Sequence, residues 1–130
     1  MILPLVAAVL ITATPASAPQ FMPNKWQDSG IVWVDQSKKV RDLAACIRQH
    51  ESKHDYKAHN SRSSAAGAYQ FIDATWQGNA KWVKHRGKYI ARGYKAANHA
   101  PPWIQDLVFL HSIKHGGRDN WVGTNCAPDL

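Results

Sequence analysis

The sequence has few cysteines, no internal repeat and no apolar run long enough to cross a membrane. Its 130 residues include two cysteines, which stand far apart and form no CxxC pair, so nothing indicates a zinc ribbon or a dithiol redox centre. The apolar run at residues 3–11 is far shorter than the roughly 20 residues that a transmembrane helix needs. The chain has no low-complexity tract, and its length suits one domain.

The N-terminal segment has the pattern of a secretory signal. Its apolar run is followed by Ala16-Ser17-Ala18, a small-residue segment of the kind that precedes a signal-peptidase cut. Two features depart from the pattern: no Lys or Arg precedes the run, and Pro19 directly follows the expected cut. A membrane anchor is the alternative, but the run is short for it. We therefore expect residues 1–18 to be a signal peptide and the chain to be secreted or located at a cell wall.

The chain is basic, with 16 Lys and Arg residues, nine Asp and Glu residues and a formal net charge of +7. In a small exported domain this excess indicates an anionic partner, such as an acidic wall polymer, a membrane surface or nucleic acid. A contribution to solubility alone is the alternative. Because the signs are mixed and no long basic block occurs, nucleic acid is not expected as a partner. Stable membrane insertion is not expected either, and nothing requires more than a monomer.

The chain divides into an N-terminal extension at residues 19–39 and a domain at residues 40–130. The extension holds Pro, Gln, Asn and Ser around one short apolar run, residues 31–34, which indicates a linker with one strand-like piece. Apolar residues then recur at helical spacing, which predicts a first helix from about Ser37 to about His54.

The rest of the chain indicates further helices joined by loops. Residues 57–71 are rich in Asn, Ser and small side chains and predict a loop or a short hairpin. Asp73 suits the N-cap of a second helix, and the apolar spacing after Pro101-Pro102 predicts a final helix that Gly116-Gly117 terminates. The basic and aromatic segment 82–98 gives no clear prediction. Helix is expected to dominate, and any sheet is expected to be small.

One carboxylate lies on the apolar stripe of the first helix. Glu51 follows Ile47 by four residues and Val40 by eleven, so its side chain points in the same direction as theirs. A carboxyl group at the inner edge of a core stripe is partly desolvated, which raises its pKa and favours the protonated acid. A general acid that protonates a glycosidic oxygen needs this property. The alternative is that Glu51 turns to water or pairs with Arg48 or Lys53.

The same place carries a formal zinc-peptidase motif. Residues 50–54 read His-Glu-Ser-Lys-His, and on a helix two histidines at this spacing can bind zinc while the glutamate serves as base. The surroundings do not fit, because Ser52 and Lys53 stand where a buried zinc helix has apolar residues. His59 is a conceivable third ligand, so a metallopeptidase is kept as a minor alternative. No metal or other cofactor is expected.

Several short motifs, at their intervals, resemble one family. They are Cys46–Ser52 (CIRQHES), Asp55–Asn60 (DYKAHN), Ala66–Phe71 (AGAYQF) and Thr75-Trp76. This combination resembles the transglycosylase-like domain of resuscitation-promoting factors and their relatives in the lysozyme superfamily. The resemblance covers roughly residues 41–126, including a helix with Gln105-Asp106 and a final Trp-then-Cys tail.

The resemblance implies a mainly α (α+β) lysozyme-like fold, a small helical domain in which a short hairpin or loop crosses the active-site cleft. It implies a structural disulfide between Cys46 and Cys126, and an even cysteine count in an exported chain also favours a disulfide. Trp76 corresponds to an aromatic residue that packs in the core.

For the site, the resemblance implies Glu51 as the single catalytic acid and Asn60, Tyr69 and Gln70 as substrate-binding residues. Ser52 is implied to hold the end of the first helix.

This sequence departs from many relatives directly after Ser52, because Lys53 and His54 replace Gly-Gly or Gly-Asn. Their positive charge favours the ionised form of Glu51 and affects the expected pH optimum. The segment 82–98 is also longer than the resemblance implies, and is either an extra loop along the cleft or a wall-binding face.

The implied activity is cleavage of the β-1,4 MurNAc–GlcNAc bond in the glycan strands of peptidoglycan. A hydrolase of lysozyme type uses two carboxylates, and the candidates for a second one are Asp55, Asp73 and Asp106, the last expected on a polar helical face. None is compelling, so we expect a lytic transglycosylase that forms a 1,6-anhydro product, with hydrolysis as the alternative. A wall-binding module without catalysis is the alternative from another class.

Overall fold

The computed structural model describes residues 32–126. In this part of the chain the α-helices are α1 (Lys38–Ser52), α2 (Asp73–Ala80) and α3 (Pro102–Lys114). Two short antiparallel strands, β1 (Lys84–His85) and β2 (Lys88–Tyr89), pair as a hairpin, and 3₁₀ helices lie at Ala97–His99 and Gly117–Thr124. The expected mainly α fold with a short hairpin and one disulfide is confirmed. None of the helices in these described residues is long and apolar enough to span a membrane.

The predicted signal peptide, residues 1–18, and most of the predicted extension, residues 19–39, lie outside the described residues. In the described part, residues 32–33 are helical and residues 34–36 form a turn. The expected strand-like piece is therefore wrong at these positions, because a short apolar run does not distinguish strand from helix by its periodicity. Helix α1 begins at Lys38 with its cap at Ser37, as the helical spacing predicts, and the boundary between extension and domain stays a prediction.

Helix α1 starts at a serine cap and buries one face. The Ser37 side chain accepts a hydrogen bond from the Val40 amide (3.3 Å), which satisfies one of the free amides at a helix N-terminus. Leu43, Ala44 and Ile47 form the buried face. Their spacing is the one from which the helix was predicted.

Two residues in left-handed conformations end α1. Lys53 and His54 have φ values of 54° and 63°, and their amides donate to carbonyls of the last helical turn (3.2 and 3.1 Å). Outside glycine this conformation costs roughly 1–2 kcal/mol per residue, and the capping hydrogen bonds offset part of that cost. The helix therefore ends at Ser52, two residues before the predicted boundary.

The core is rich in aromatic side chains. Tyr69 stacks on Phe109 with ring centroids 4.3 Å apart, and Phe71 meets Trp76 and Trp121 edge-on at 5.7 and 5.3 Å. All five side chains are buried, and each such pair contributes about 0.5–1.5 kcal/mol beyond the area that it buries. Trp76 is fully buried, so its expected core position is confirmed.

The starts and ends of α2 and α3 lie close to their predicted positions. Asp73 is the first residue of α2 and not its N-cap, because Ile72 occupies the cap without a side-chain hydrogen bond. In the first turn the Asp73 carboxylate still complements the helix dipole. Helix α3 begins at Pro102 and stops shortly before Gly116, whose φ of 84° does not continue a helix.

The regular hairpin lies within the basic segment at residues 82–98, for which the sequence pattern supports no clear prediction. The cross-strand pairs are Lys84 with Tyr89 and His85 with Lys88. The turn between them is Arg86-Gly87, with φ values of 49° and 77°. Two successive positive φ values belong to the turn that favours Asn or Gly at its first position. Arg86 therefore carries a steric cost of roughly 1–2 kcal/mol at an exposed tip.

A disulfide joins Cys46 in α1 to Cys126 at the end of the described chain, with their Cα atoms 5.6 Å apart. The predicted pairing is confirmed. It bridges a sequence separation of 80 residues, and closing a loop of this length stabilises a fold by about 4–5 kcal/mol on the chain-entropy model.

Gly67 occupies a position where a side chain does not fit. Its φ is +75°, and a Cβ there would overlap Oε1 of Gln105 and lie 3.0 Å from Cβ of Ala97. Gly67→Ala is therefore expected to lower the free energy of unfolding by about 2–3 kcal/mol, as measured by denaturant unfolding. The control Gly78→Ala, in α2 with open space around it, is expected to raise that free energy by about 0.5–1 kcal/mol. Equal stability of both variants would contradict the close approach of Gly67 to α3.

Candidate active site

Glu51 lies in the last turn of α1, at the end of the stripe that includes the buried Ala44 and Ile47. Its side chain is half-buried. Within residues 32–126 no group donates a hydrogen bond to its carboxylate or forms an ion pair with it. The alternative pairing with Arg48 is absent, because the Arg48 guanidinium donates to the Tyr69 hydroxyl instead (2.8 Å).

The environment of Glu51 favours the neutral acid. Burial raises the pKa of Glu51 above its ordinary value of 4.5, and the neighbouring His50 offsets part of this rise. A carboxyl group with a raised pKa and no donor pointing at it is more often protonated near neutrality, which suits proton donation to a substrate.

The Ser52 hydroxyl connects the end of α1 to the turn at residues 66–71. It donates to the Ala68 carbonyl (2.8 Å) and accepts a hydrogen bond from the Asp55 amide (3.0 Å). The turn itself is closed by two hydrogen bonds of 3.0 Å between the backbones of its end residues. This geometry agrees with the expected role of Ser52 in holding the helix end.

The preceding part of the loop, residues 57–65, folds back against the same turn. The amides of Asn60 and Gly67 donate to carbonyls across the loop (2.9 and 2.8 Å), and the segment forms isolated bridges with no regular strand. Glu51 thus lies at the end of α1, Asn60 in the loop before the turn, and Gln70 in the turn. Hydrogen bonds join these three segments at one end of α1.

Asn60 and Gln70 are accessible but already make local hydrogen bonds. Oδ1 of the exposed Asn60 accepts from the Arg62 amide (2.8 Å). Nε2 of the half-buried Gln70 donates to the Gly67 carbonyl (3.0 Å), and Gln70 has a φ of 52°. Non-glycine residues in this conformation often occur at functional sites. Substrate binding by these two residues stays a prediction.

Tyr69 is a core residue and not a substrate contact. Its side chain is fully buried, its ring stacks on Phe109, and its hydroxyl donates to Oδ1 of Asp106 (2.5 Å). Burial in the first place, and then the Asp106 carboxylate, raise the pKa of this hydroxyl well above 10.0, so it stays a donor. Because no part of the side chain is open to a ligand, the predicted substrate-binding role of Tyr69 is wrong in this structure.

Asp106 is fully buried, so its expected place on a polar helical face is also wrong. Its carboxylate accepts hydrogen bonds from the Tyr69 and Tyr56 hydroxyls (2.5 and 2.8 Å) and from the Trp33 indole (3.2 Å). The Arg48 guanidinium lies 3.7 Å from Oδ1. We call these five residues the Asp106 cluster. A carboxylate so engaged is structural, which removes Asp106 as a second catalytic acid.

Gln105, next to Asp106 in α3, holds the turn at residues 66–71 through hydrogen bonds of its side chain. Its side chain is fully buried, its Oε1 accepts from the Ala68 amide (3.0 Å), and its Nε2 donates to the Tyr56 and Ala100 carbonyls (2.9 Å each). The sequence patterns predict no role for Gln105. A sequence signal for it exists, since Gln105-Asp106 interrupts an otherwise apolar run at residues 101–110.

The two other acidic candidates also make local contacts. Oδ1 of Asp55 accepts from the Lys57 amide (2.9 Å) in an exposed turn. Asp73 stands in the first turn of α2. Among the described residues, no hydrogen bond or ion pair joins either side chain to Glu51.

The helix that the zinc-peptidase motif requires ends too early. His50 lies in α1, but His54 follows the helix with a left-handed backbone, and its Nδ1 is 3.3 Å from Nε of Arg48. The pair is therefore not displayed on one helical face. Within the described range, the group of three potential ligands that comes together is Cys46, His50 and Cys126, and its two sulfur atoms are already bonded to each other.

The chain is similar to staphylococcal proteins named probable transglycosylase SceD. It is 36% identical over 84 residues to that of Staphylococcus carnosus (strain TM300), which covers 65% of this chain and 33% of the relative. It is 37% identical over 86 residues to that of Staphylococcus aureus (strain bovine RF122 / ET3-1), which covers 66% and 34%. The chain thus spans about a third of the length of these relatives. No family model matches the sequence, and no solved structure matches it.

Asp106→Asn tests the Asp106 cluster. The change leaves the Arg48 guanidinium largely buried without a counter-charge, so the free energy of unfolding is expected to fall by about 3 kcal/mol. Asp42→Asn is the control, because Asp42 pairs with Lys38 on the surface (63% and 81% exposed), and an exposed pair contributes less than about 1 kcal/mol. Denaturant unfolding measures both, and similar losses in the two variants would contradict the role of the cluster.

Glu51→Gln tests the raised pKa of Glu51. The folded state binds the proton more tightly than the unfolded state, so its stability falls as pH rises through the folded-state pKa. Replacing the acid by a neutral amide is therefore expected to raise the melting temperature at neutral pH. The gain should vanish below the ordinary pKa of 4.5, where the carboxyl is protonated in both states. Thermal melts from neutral pH to below the ordinary pKa measure this difference in melting temperature. A gain that persists at acid pH would argue against the raised pKa.

Proposed function

We propose that this chain cuts the glycan strands of peptidoglycan as a lytic transglycosylase, with Glu51 as its general acid and base. The observation that carries the proposal is the state of Glu51: a half-buried carboxyl with a raised pKa and no protein partner among the described residues. The similar SceD proteins are named probable transglycosylases, which supports the same reaction class. The narrower resemblance to resuscitation-promoting factors stays a prediction.

In the first step, protonated Glu51 donates its proton to the oxygen that links MurNAc C1 to GlcNAc C4. The C1–O bond breaks, GlcNAc leaves with a free 4-hydroxyl, and positive charge develops on the MurNAc ring. In the second step, the Glu51 carboxylate takes the proton of the MurNAc 6-hydroxyl while that oxygen attacks C1. The product is a 1,6-anhydro sugar, Glu51 is protonated again, and no water is consumed.

A single acid favours this route over hydrolysis. A two-carboxylate glycosidase needs a second carboxylate that acts as nucleophile or activates water. Asp106 is buried within its cluster, and Asp55 holds an exposed turn. In the transglycosylase route the substrate supplies the nucleophile, so this function needs no second carboxylate. Hydrolysis with lysozyme-type products is the alternative outcome.

The local architecture suits such a reaction. Ser52 ties the end of α1 to the turn at residues 66–71, and Gln105 supports that turn from α3. Because rigid elements hold the acid and the adjoining turn together, a glycan strand bound there would meet the proton donor in a fixed position. Asn60 and Gln70 are the proposed hydrogen-bonding partners of the sugars.

We also propose that the chain acts outside the cell, as a monomer, on the wall polymer itself. The support is the sequence pattern of residues 1–18 and the disulfide, which persists in oxidising compartments.

The activity is tested by mass spectrometry of soluble fragments from purified peptidoglycan. Wild-type protein is expected to release 1,6-anhydro-muropeptides with or without EDTA. Glu51→Gln is expected to lower the rate by at least about 100-fold, because the amide cannot donate or accept the proton. His54→Ala is the control: it removes the second histidine of the HExxH motif and should leave most of the activity.

Each other result has a definite meaning. Reducing-end MurNAc without any anhydro product would replace the transglycosylase by a hydrolase. Free peptides that disappear in EDTA and in His54→Ala would establish the metallopeptidase instead. Wall binding with no released fragment from wild-type protein would reassign the chain as a non-catalytic wall-binding module.

A further inference from the structure

The positive charge of the chain is concentrated in one segment. Residues 81–95 hold six of the 16 Lys and Arg residues and none of the nine Asp and Glu residues. The remainder of the chain, with ten basic and nine acidic residues, is almost neutral. We call the six side chains of this segment the basic surface: Lys81, Lys84, Arg86, Lys88, Arg92 and Lys95.

The basic surface is exposed and its charges are not neutralised by the protein. All six side chains are exposed, and within residues 32–126 none of them forms an ion pair. Like charges held close together repel one another. An arrangement of this kind is stabilised when an anion lies across it.

The hairpin fixes several of these charges in space. Lys84 and Tyr89 are a cross-strand pair, so both side chains stand on the same face. Nζ of Lys84 lies 4.5 Å from the centre of the Tyr89 ring, and Cζ of Arg92 lies 3.3 Å from it. The ring thus holds two cations near each other through cation–π contacts.

A concavity of about 420 Å³ adjoins this face and is lined by Lys81, Arg92 and Lys95. Nε of Arg92 donates to the Lys81 carbonyl (2.9 Å), which holds the guanidinium at the rim. No acidic residue lines the concavity. Three cations around one hollow can contact a tetrahedral phosphate from several directions, since arginine binds phosphate with its planar fork and lysine binds it as a point charge.

The tip of the hairpin carries an arginine where the backbone favours asparagine or glycine. Arg86 has a φ of 49° and is exposed. Its side chain makes no hydrogen bond to the described part of the protein, so no contact compensates the unfavourable backbone. Unfavourable backbone conformations in folded proteins often occur at functional sites. Here the function would be to present the Arg86 charge at the tip of the hairpin.

We propose that the basic surface binds a linear polymer with repeating phosphodiester groups and no bases. Single-stranded nucleic acid is disfavoured because it needs free aromatic faces for stacking. Cations lie over both exposed rings of the segment: Lys84 and Arg92 over Tyr89, and Lys81 over Trp82 at 5.4 Å. A membrane surface is disfavoured because interfacial binding needs a continuous apolar face beside the charges. The exposed large apolar side chains of the segment are Trp82 and Tyr89, and each has a lysine over its ring. This binding goes beyond the proposed cleavage of glycan and does not depend on it.

The test is fluorescence anisotropy of an end-labelled poly(glycerol phosphate) chain at increasing salt. Wild-type protein is expected to bind it at least about tenfold more tightly than poly-glutamate or a single-stranded oligonucleotide of equal charge. Lys84→Gln/Lys88→Gln is expected to lower the affinity by about tenfold and the log–log salt slope by about 1.4, since each phosphate contact contributes about 0.7 on a flexible strand. The matched control Lys39→Gln/Lys114→Gln removes the same charge elsewhere and should change the affinity by less than about twofold.

Arg86→Asn separates binding from folding. The substitution suits the turn, so the melting temperature should stay equal or rise while the affinity for poly(glycerol phosphate) falls. Equal affinity losses in the two lysine pairs would overturn the proposal, because net charge alone would then explain binding. Equal or tighter binding of poly-glutamate or the oligonucleotide would also overturn it. The experiment measures binding alone, so an inactive Glu51 would not change its result. Absence of binding would likewise not contradict the proposed cleavage of glycan.

Discussion

The buried carboxylate of Asp106 holds the domain together where α1, α3 and the loop after α1 meet. A charge removed from water is tolerated only when several donors replace the lost hydration, and the Asp106 cluster supplies them. The hydroxyls of Tyr56 and Tyr69 donate to the carboxylate, and the Arg48 guanidinium faces it. Because Arg48 belongs to the last turns of α1, the same interaction fixes the part of the helix that carries Glu51.

Two carboxylates of one small domain thus have opposite environments. Asp106 is surrounded by donors that stabilise its charge. Glu51 is half-buried, has no donor in the described residues, and has a raised pKa. The donors around Asp106 make it a structural group, whereas Glu51, which lacks them, has the raised pKa that the proposed reaction needs. The environment, and not the residue type, decides which is which.

The sequence predicted the parts of the fold that follow from local pattern. The helix around Ile47, the final helix after Pro101 and the Glu51 position on an apolar stripe all depend on residues a few places apart. The disulfide was predicted from the resemblance and from the even cysteine count. The untested parts of the prediction, the sugar contacts of Asn60 and Gln70, stay predictions because they concern a molecule outside the chain.

The parts that could not be predicted depend on distant contacts. The Asp106 carboxylate meets Trp33, Tyr56 and Tyr69, which lie 73, 50 and 37 residues away in sequence. No sequence periodicity indicates contacts over such distances. The sequence therefore predicts Asp106 on a polar helical face and Tyr69 among the substrate-binding residues. The position of the expected hairpin is not predicted for another reason, since its turn uses an arginine where the usual signal is asparagine or glycine.

The end of α1 bears on two interpretations of residues 50–54: a metal site built on two histidines, or a single acid at Glu51. On a continued helix, His50 and His54 would share a face and Glu51 would lie between metal ligands. The Ser52 hydroxyl instead reaches the Ala68 carbonyl, and Lys53 and His54 turn into left-handed conformations. The histidines separate, while Glu51 keeps the position in the last turn that gives it its raised pKa. The sequence motif is therefore present without its metal-binding geometry, and the same helix end leaves Glu51 with the raised pKa that the proposed reaction needs.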